Sequence, residues 1–148
     1  MLVFRLAEVR YGIPAEDVVE VLAAVACVPL PKAPAIVEGI IDVRGRLVPV
    51  LDVRARFRRP PKPVELSDHL VVARAGPRVV ALRVDEAHGL VGLAPPDVRS
   101  LSDVVPGAGH VAGVACLEDG LVLIHDLATF LTEAESEEID GALAEGPR

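Results

Sequence analysis

Two β-branched runs joined by an arginine-flanked glycine constrain this chain more than any other feature. Residues 39–57 read Gly-Ile-Ile-Asp-Val-Arg-Gly-Arg-Leu-Val-Pro-Val-Leu-Asp-Val-Arg-Ala-Arg-Phe. Ile40 to Val43 and Leu47 to Val53 predict two strands, and Arg44-Gly45-Arg46 predicts the turn between them. Gly45 adopts positive φ at little cost, which a tight turn needs. The second run is apolar on both faces, so it must be covered on both sides. Pro49 lacks an N–H to give to a ladder and marks an edge or a bulge. The segment therefore combines a buried core strand with a turn that displays two arginines.

The rest of the chain repeats this grammar. Leu2 to Tyr11 predicts a strand with Phe4 and Leu6 on one face. Pro14, Glu16 and Asp17 suit the first turn of a helix, and Val18, Val21, Leu22 and Val25 fall at helical spacing. A short helix is therefore expected near 14–24. Strands are expected at 69–74, 78–84, 87–93, 110–117 and 121–125, the last two joined by the hairpin signal Glu118-Asp119-Gly120. Asp126 can cap a short helix to about 132. The proline-rich stretch 57–67 is the expected boundary between a first lobe, about 1–58, and a second, about 66–125. Residues 133–148 form an acidic tail, expected to be a loosely attached helix or disordered. With 51% hydrophobic residues in 148, the chain can bury one domain's core. About ten short strands in two sets of five fit two small barrels or a sandwich, and composition does not choose between them.

Charge and cysteine usage exclude several functions. The net charge is −7, yet residues 44–62 carry seven bases against Asp52 alone. Read by itself, this basic waist is a solvated face or a nucleic-acid patch. An acidic chain with four aromatic residues lacks a stacking platform, which argues against nucleic acid. The longest apolar run, Val21 to Leu30, is broken by Pro29, so no membrane insertion is expected. The N-terminus opens into strand-like alternation rather than a signal peptide. Cys27 and Cys116 have no metal-ligand spacing and read as free thiols in a reducing cytosol. His69, His88, His110 and His125 stand singly, so no metal site is expected. Cys116, His110 and Asp126 could form a nucleophilic set, but Cys116 lies among Val114, Ala115 and Leu117, where a buried thiol is inert. No glycine-rich phosphate loop and no cofactor site is legible.

Val-Arg-Gly at 43–45, Val-Pro-Val-Leu-Asp-Val-Arg at 48–54 and Gly39 resemble the signature of CheW-like domains, the adaptor modules of bacterial chemosensory arrays. Met1 to Leu6, Tyr11-Gly-Ile, Pro29-Leu-Pro, Leu82 to Asp85 and Gly113 to Asp126 extend the resemblance over residues 1 to about 132. The resemblance implies a mostly β fold of two five-stranded SH3-like barrels packed side by side within one domain, 1–132. It implies a non-enzymatic adaptor, cytoplasmic and recruited to membrane receptor arrays. Its partners would be the tip of a methyl-accepting chemoreceptor, in a groove between the lobes, and the CheW-like regulatory domain of a CheA-type histidine kinase. A paralogue serving another output, and a thiol hydrolase using Cys116, are the alternatives.

The resemblance also assigns residues. Val18, Gly39 and Arg44 match receptor-contact positions, with Glu20 expected to pair with Arg44. Without it, Arg44 reads as a solvated turn residue, Val18 as core packing and Gly39 as a backbone requirement. Glu38, Leu47, Arg99 and Val104 match the kinase side. Asp42 stands where the family has asparagine, so its side chain must accept, with Arg44 or Arg46 the expected donor.

Overall fold

The computed structural model describes residues 1–57, 60, 62, 63, 65–92, 98, 99, 111–125 and 127–145. Among these, eleven strands form two sheets. The strands are β1 (Leu2–Leu6), β2 (Val9–Ile13), β3 (Val18–Ala23), β4 (Val37–Val43), β5 (Arg46–Leu51), β6 (His69–Ala75), β7 (Arg78–Val84), β8 (Glu86–Leu90), β9 (Val98–Arg99), β10 (Val111–Leu117) and β11 (Gly120–His125). The described residues also form two α-helices, α1 (Val53–Arg56) and α2 (Glu133–Glu145), and, where a helix to about 132 was expected, a single 3-10 turn at Leu127–Thr129. The first sheet runs β8-β1-β2-β11-β10-β9, five full strands plus the two-residue β9; the second runs β3-β6-β7-β5-β4. Each has one parallel pair, β2 with β11 and β5 with β7, and is otherwise antiparallel. The mostly β architecture with two five-stranded units is as expected.

The sheets cut across the expected lobes 1–58 and 66–125. The chain starts in the first sheet, leaves to build all of the second from β3 to β7, and returns. The proline-rich stretch is therefore internal to the second unit, because β5 before it pairs in parallel with β7 after it through Val50–Ala81 and Leu51–Leu82.

The expected helix near 14–24 is a correction. Pro14 opens only a single 3-10 turn, Ala15–Asp17, and Val18–Ala23 is β3, paired antiparallel with β6. The same apolar residues that fall at helical spacing also fit a strand, and β-branched valines favour it. Residues 18, 20 and 22 are half-buried while 19, 21 and 23 face outward, the two-residue period of a strand.

Strands apolar on both faces serve two cores. Leu2, Phe4, Leu6, Tyr11 and Ile13 of the first sheet pack with Leu51, Val71, Ala73, Val80, Leu82 and Val84 of the second in a core shared between them. Behind it, Ile41, Val48, Val50, Leu70, Val72 and Ala81 fill the second unit. Alternate residues of β6 thus face opposite cores, which is why its sequence reads as a continuous apolar run. Pro49 sits opposite Ile40 on β4, whose own N–H and C=O are taken by Val28 on its far side. The ladder asks nothing of Pro49 at that point.

Of the two alternatives for the tail, the helix is the one seen over Glu133–Glu145, and it is docked rather than loosely attached. Thr132 and Glu135 form a reciprocal cap, Thr132 Oγ1 accepting from the Glu135 amide and Glu135 Oε1 from the Thr132 amide, both at 3.0 Å. Ile139 and Ala142 are buried, and Glu135, Asp140 and Glu145 pair with Arg56, Arg78 and Lys32.

Candidate partner-docking site

The β4–β5 hairpin is closed by a two-residue connection. Val43 pairs with Arg46, leaving Arg44 and Gly45 at φ +53° and +83°. Positive φ at both central residues is what the type I′ hairpin turn requires. Arg44 is an uncommon residue for that conformation. Asp42 supports the turn by accepting from the Gly45 amide at 2.7 Å. The expected donors, the Arg44 and Arg46 side chains, are not the ones it uses.

The turn presents the Arg44 side chain, 80% exposed, back toward β3. Its Nη2 donates to Glu20 Oε2 at 3.1 Å, and the Glu20 side chain is only 18% exposed. The structure thus brings Arg44 and Glu20 together. With one end in water, the pair is worth about 0–1 kcal/mol of stability. It stands at the rim of a groove of about 220 Å³ lined by Val19, Glu20, Val43, Arg44, Arg46, Val48, Val72 and Val79. All of these belong to the second sheet, so the groove is the mouth of one unit rather than a cleft between lobes.

Val18 and Gly39 do not line it. Val18 is half-buried and packs on the shared core. At Gly39, which is buried, a Cβ would lie 2.5 Å from the Val28 carbonyl oxygen and 2.8 Å from Cys27 Sγ. The segment at Cys27–Val28 crosses β4 so closely that only glycine fits there.

Of the kinase-side positions, Glu38 is committed within the chain. It occupies a bulge between Val37 and Gly39 and accepts a forked pair from Arg83, Nη2 at 2.6 Å and Nε at 2.9 Å. Leu47 is 46% exposed and lines a second groove, about 470 Å³, with Arg46, Pro49, Val79 and, from α2, Asp140 and Leu143. Arg99 lies on β9 opposite Val114, and Val104 lies outside the described residues.

Arg83 opens an ionic seam that sequence reasoning missed. Its Nη1 reaches Asp68 at 3.3 Å, Lys62 bridges Asp68 (2.8 Å) and Asp85 (3.3 Å), and Arg54 binds Asp85 at 2.5 Å. The Ala7 amide, from the β1–β2 turn, also donates to Asp85 at 2.7 Å, so the seam ties the two sheets. Burial pushes the Asp85 carboxyl up, but the hydrogen bonds from Arg54, Ala7 and Lys62 outweigh it and hold it at about 2. Asp68 is likewise held low, against its own burial, by Lys62, the Glu65 amide and Arg83. Single acids at strand ends carry no periodic signal, so nothing in the sequence marks them. Three members of the basic waist, Arg54, Arg56 and Lys62, are thereby internal ion-pair partners rather than a solvated face. Arg58 and Arg59 lie outside the described residues.

The thiol set fares differently from expectation. Cys116 is exposed, not buried, because β10 turns that residue outward. His110 and Asp126 lie outside the described residues. No group of three His, Cys, Asp or Glu able to hold a metal occurs among the described residues. No described helix is long and apolar enough to cross a membrane.

Comparison with known proteins bears on the family and the fold. The family model for the CheW-like domain matches residues 1–135. A chemotaxis protein CheW of Treponema pallidum is 24% identical over 94% of this chain and 85% of its own length. Protein FrzA of Myxococcus xanthus is 32% identical over 64% of this chain and 59% of its own. The crystal structure of the scaffolding protein TtCheW from Thermoanaerobacter tengcongensis superposes with a TM-score of 0.82 at 27% identity, covering 90% of this chain and 92% of that one.

Proposed function

This chain belongs to the CheW-like domain family, and from that premise we propose that it couples methyl-accepting chemoreceptors to a CheA-type histidine kinase without doing chemistry itself. The observation that carries the reading is the Arg44–Glu20 pair, set on a rigid two-residue turn at the lip of a valine-lined groove. A charged rim around an apolar slot suits the side of a receptor helix, whose apolar residues enter while its polar ones meet the rim. Arg44 makes the direct contact; Val18 and Gly39 act by holding β3 and β4 in place.

The kinase's CheW-like regulatory domain docks on the Leu47 side. Glu38 contributes there through Arg83, Arg99 contributes from β9, and Val104 is a further kinase-side residue. Both contacts are of modest area, and affinity accrues from many copies in an array on the cytoplasmic face of the membrane. Signal passes because the receptor's state changes the relative free energy of kinase arrangements.

The test is reconstitution. The chain is mixed with a receptor fragment in membrane nanodiscs and with the kinase from the same genome, and kinase autophosphorylation is followed. Receptor-dependent activation that needs the chain is expected, and Arg44→Glu should abolish it. A folded chain that binds neither partner would remove the proposal.

A further inference from the structure

We propose that Glu20 is a shared carboxylate. One oxygen holds Arg44, and the other receives a neutral hydrogen-bond donor, a side-chain amide or hydroxyl, from the receptor helix seated in the groove. This rests on the receptor-docking reading above and adds the chemistry of the contact.

The two oxygens of Glu20 stand in different situations. Oε2 accepts from Arg44, while Oε1 is buried and meets no donor among the described residues. A buried acceptor left unmade is expensive, and structures rarely keep one without a use. Apart from Arg44 and Arg46, neither of which bonds Oε1, the lining is apolar, since Val19, Val43, Val48, Val72 and Val79 have no polar side-chain atoms. The β3 bulge between Val18 and Glu20 sets the carboxylate into this apolar slot. Arg44, with four-fifths of its side chain in water, is the exposed member of the pair. A shift that keeps its bond to Oε2 admits a donor to Oε1 without disturbing a strand.

Charge selects the donor. Arg44 already matches Glu20, and Arg46 adds a second guanidinium to the same groove. A lysine or arginine from the partner would meet surplus positive charge, whereas an amide or hydroxyl would not. The groove's volume of about 220 Å³ has room for an aliphatic side chain but not a helix. The partner therefore presents one aliphatic residue to the valines and its neutral donor one helical turn away.

The experiment is a double-substitution cycle on the full chain, with a soluble helical-hairpin fragment of a receptor signalling tip from the same genome as the probe. Affinity is measured by calorimetry at about 50 and about 300 mM salt, and folding of each variant is checked by thermal unfolding. Glu20→Met is expected to weaken binding by about five- to tenfold both in the wild-type chain and on top of Arg44→Ala, equally at both salts. No further loss in the Arg44→Ala background would mean that Glu20 only positions Arg44, and would overturn the proposal. A loss that fades at high salt would identify a cationic donor and overturn it too. Failure of the folded wild-type chain to bind the fragment would instead remove the docking reading, and this inference with it. Should Glu20→Met not fold, Glu20→Gln serves. Gln puts an acceptor oxygen at only one of the two positions and an NH2 donor at the other, where it would face a second donor, so it should weaken binding in the wild type and regain it when Arg44 is alanine. Equal affinity of Glu20→Gln and wild type would also overturn the proposal.

Discussion

The ionic seam around Asp85 and the ion pair at the hairpin tip use the same residue types to opposite ends. In the seam, Asp85 is 8% exposed and is met by Arg54, Lys62 and a backbone amide from the other sheet. The charges there share partners, so removing one leaves its buried neighbours short of a contact. At the tip, Arg44 is mostly in water and Glu20 keeps an oxygen without a donor. The seam spends its hydrogen bonds inward and holds the sheets together. The tip leaves capacity outward, at little cost to stability. Position relative to solvent, rather than residue type, separates the arginines that hold the sheets together from the one left open at the tip.

The largest test breaks the seam. Asp85→Ala takes from the buried Arg54 its carboxylate and from Lys62 one of the two aspartates it bridges, and should cost about 3–5 kcal/mol, read as a lowered denaturant midpoint. A loss below about 1 kcal/mol would make the seam no different from a surface pair.

Acid titration sharpens the same contrast. Asp85 folds with its carboxyl held at about 2, below the ordinary value of 3.8, so its contribution is complete above pH ~4 and lost as pH falls toward 2. A shift of that size is worth roughly 2 kcal/mol. Asp68 and Glu135, also held low, add in the same direction. Chemical denaturation across that window should show a slope that Asp85→Ala flattens and Arg44→Ala leaves alone.

Gly39→Ala probes the boundary between the two regions, since Gly39 lies between the Glu38 bulge and the hairpin. The added methyl meets a backbone carbonyl that cannot swing aside, and the expected loss is about 1–3 kcal/mol. Calorimetric melting reads it, and an unchanged melting temperature would mean that Val28 can move.

The smallest stability effect belongs to the tip. Arg44→Ala should change unfolding free energy by less than ~1 kcal/mol while lowering receptor-fragment affinity clearly. If stability fell with affinity, the tip would be a second seam.

How far these regions were legible follows from the same physics. The hairpin was readable because Gly45, the valine runs and Pro49 each impose a local backbone requirement. The Arg44–Glu20 proximity came from a resemblance, since no spacing rule links positions on separate strands. The helix expected near 14–24 failed because its valines satisfy both periods, and pairing with β6 decided for the strand. Thr132 and Glu135 spell a capping box that marks α2, yet the acidic composition of the tail obscured it. The seam had no signal at all. Asp68, Arg83 and Asp85 meet only after β6 and β7 pair and the β1–β2 turn reaches across.

The route of the chain through its sheets sets an order of assembly on the ribosome. All strands of the second sheet, β3 to β7, have emerged by Val84, whereas β2 must wait for β11 to find its parallel neighbour. The second unit is therefore expected to close first during synthesis, while Phe4 and Tyr11 wait on an unfinished sheet. The groove and its arginine are assembled before the last quarter of the polypeptide exists. A nascent chain stalled after β8 would already carry the hairpin tip in its final shape.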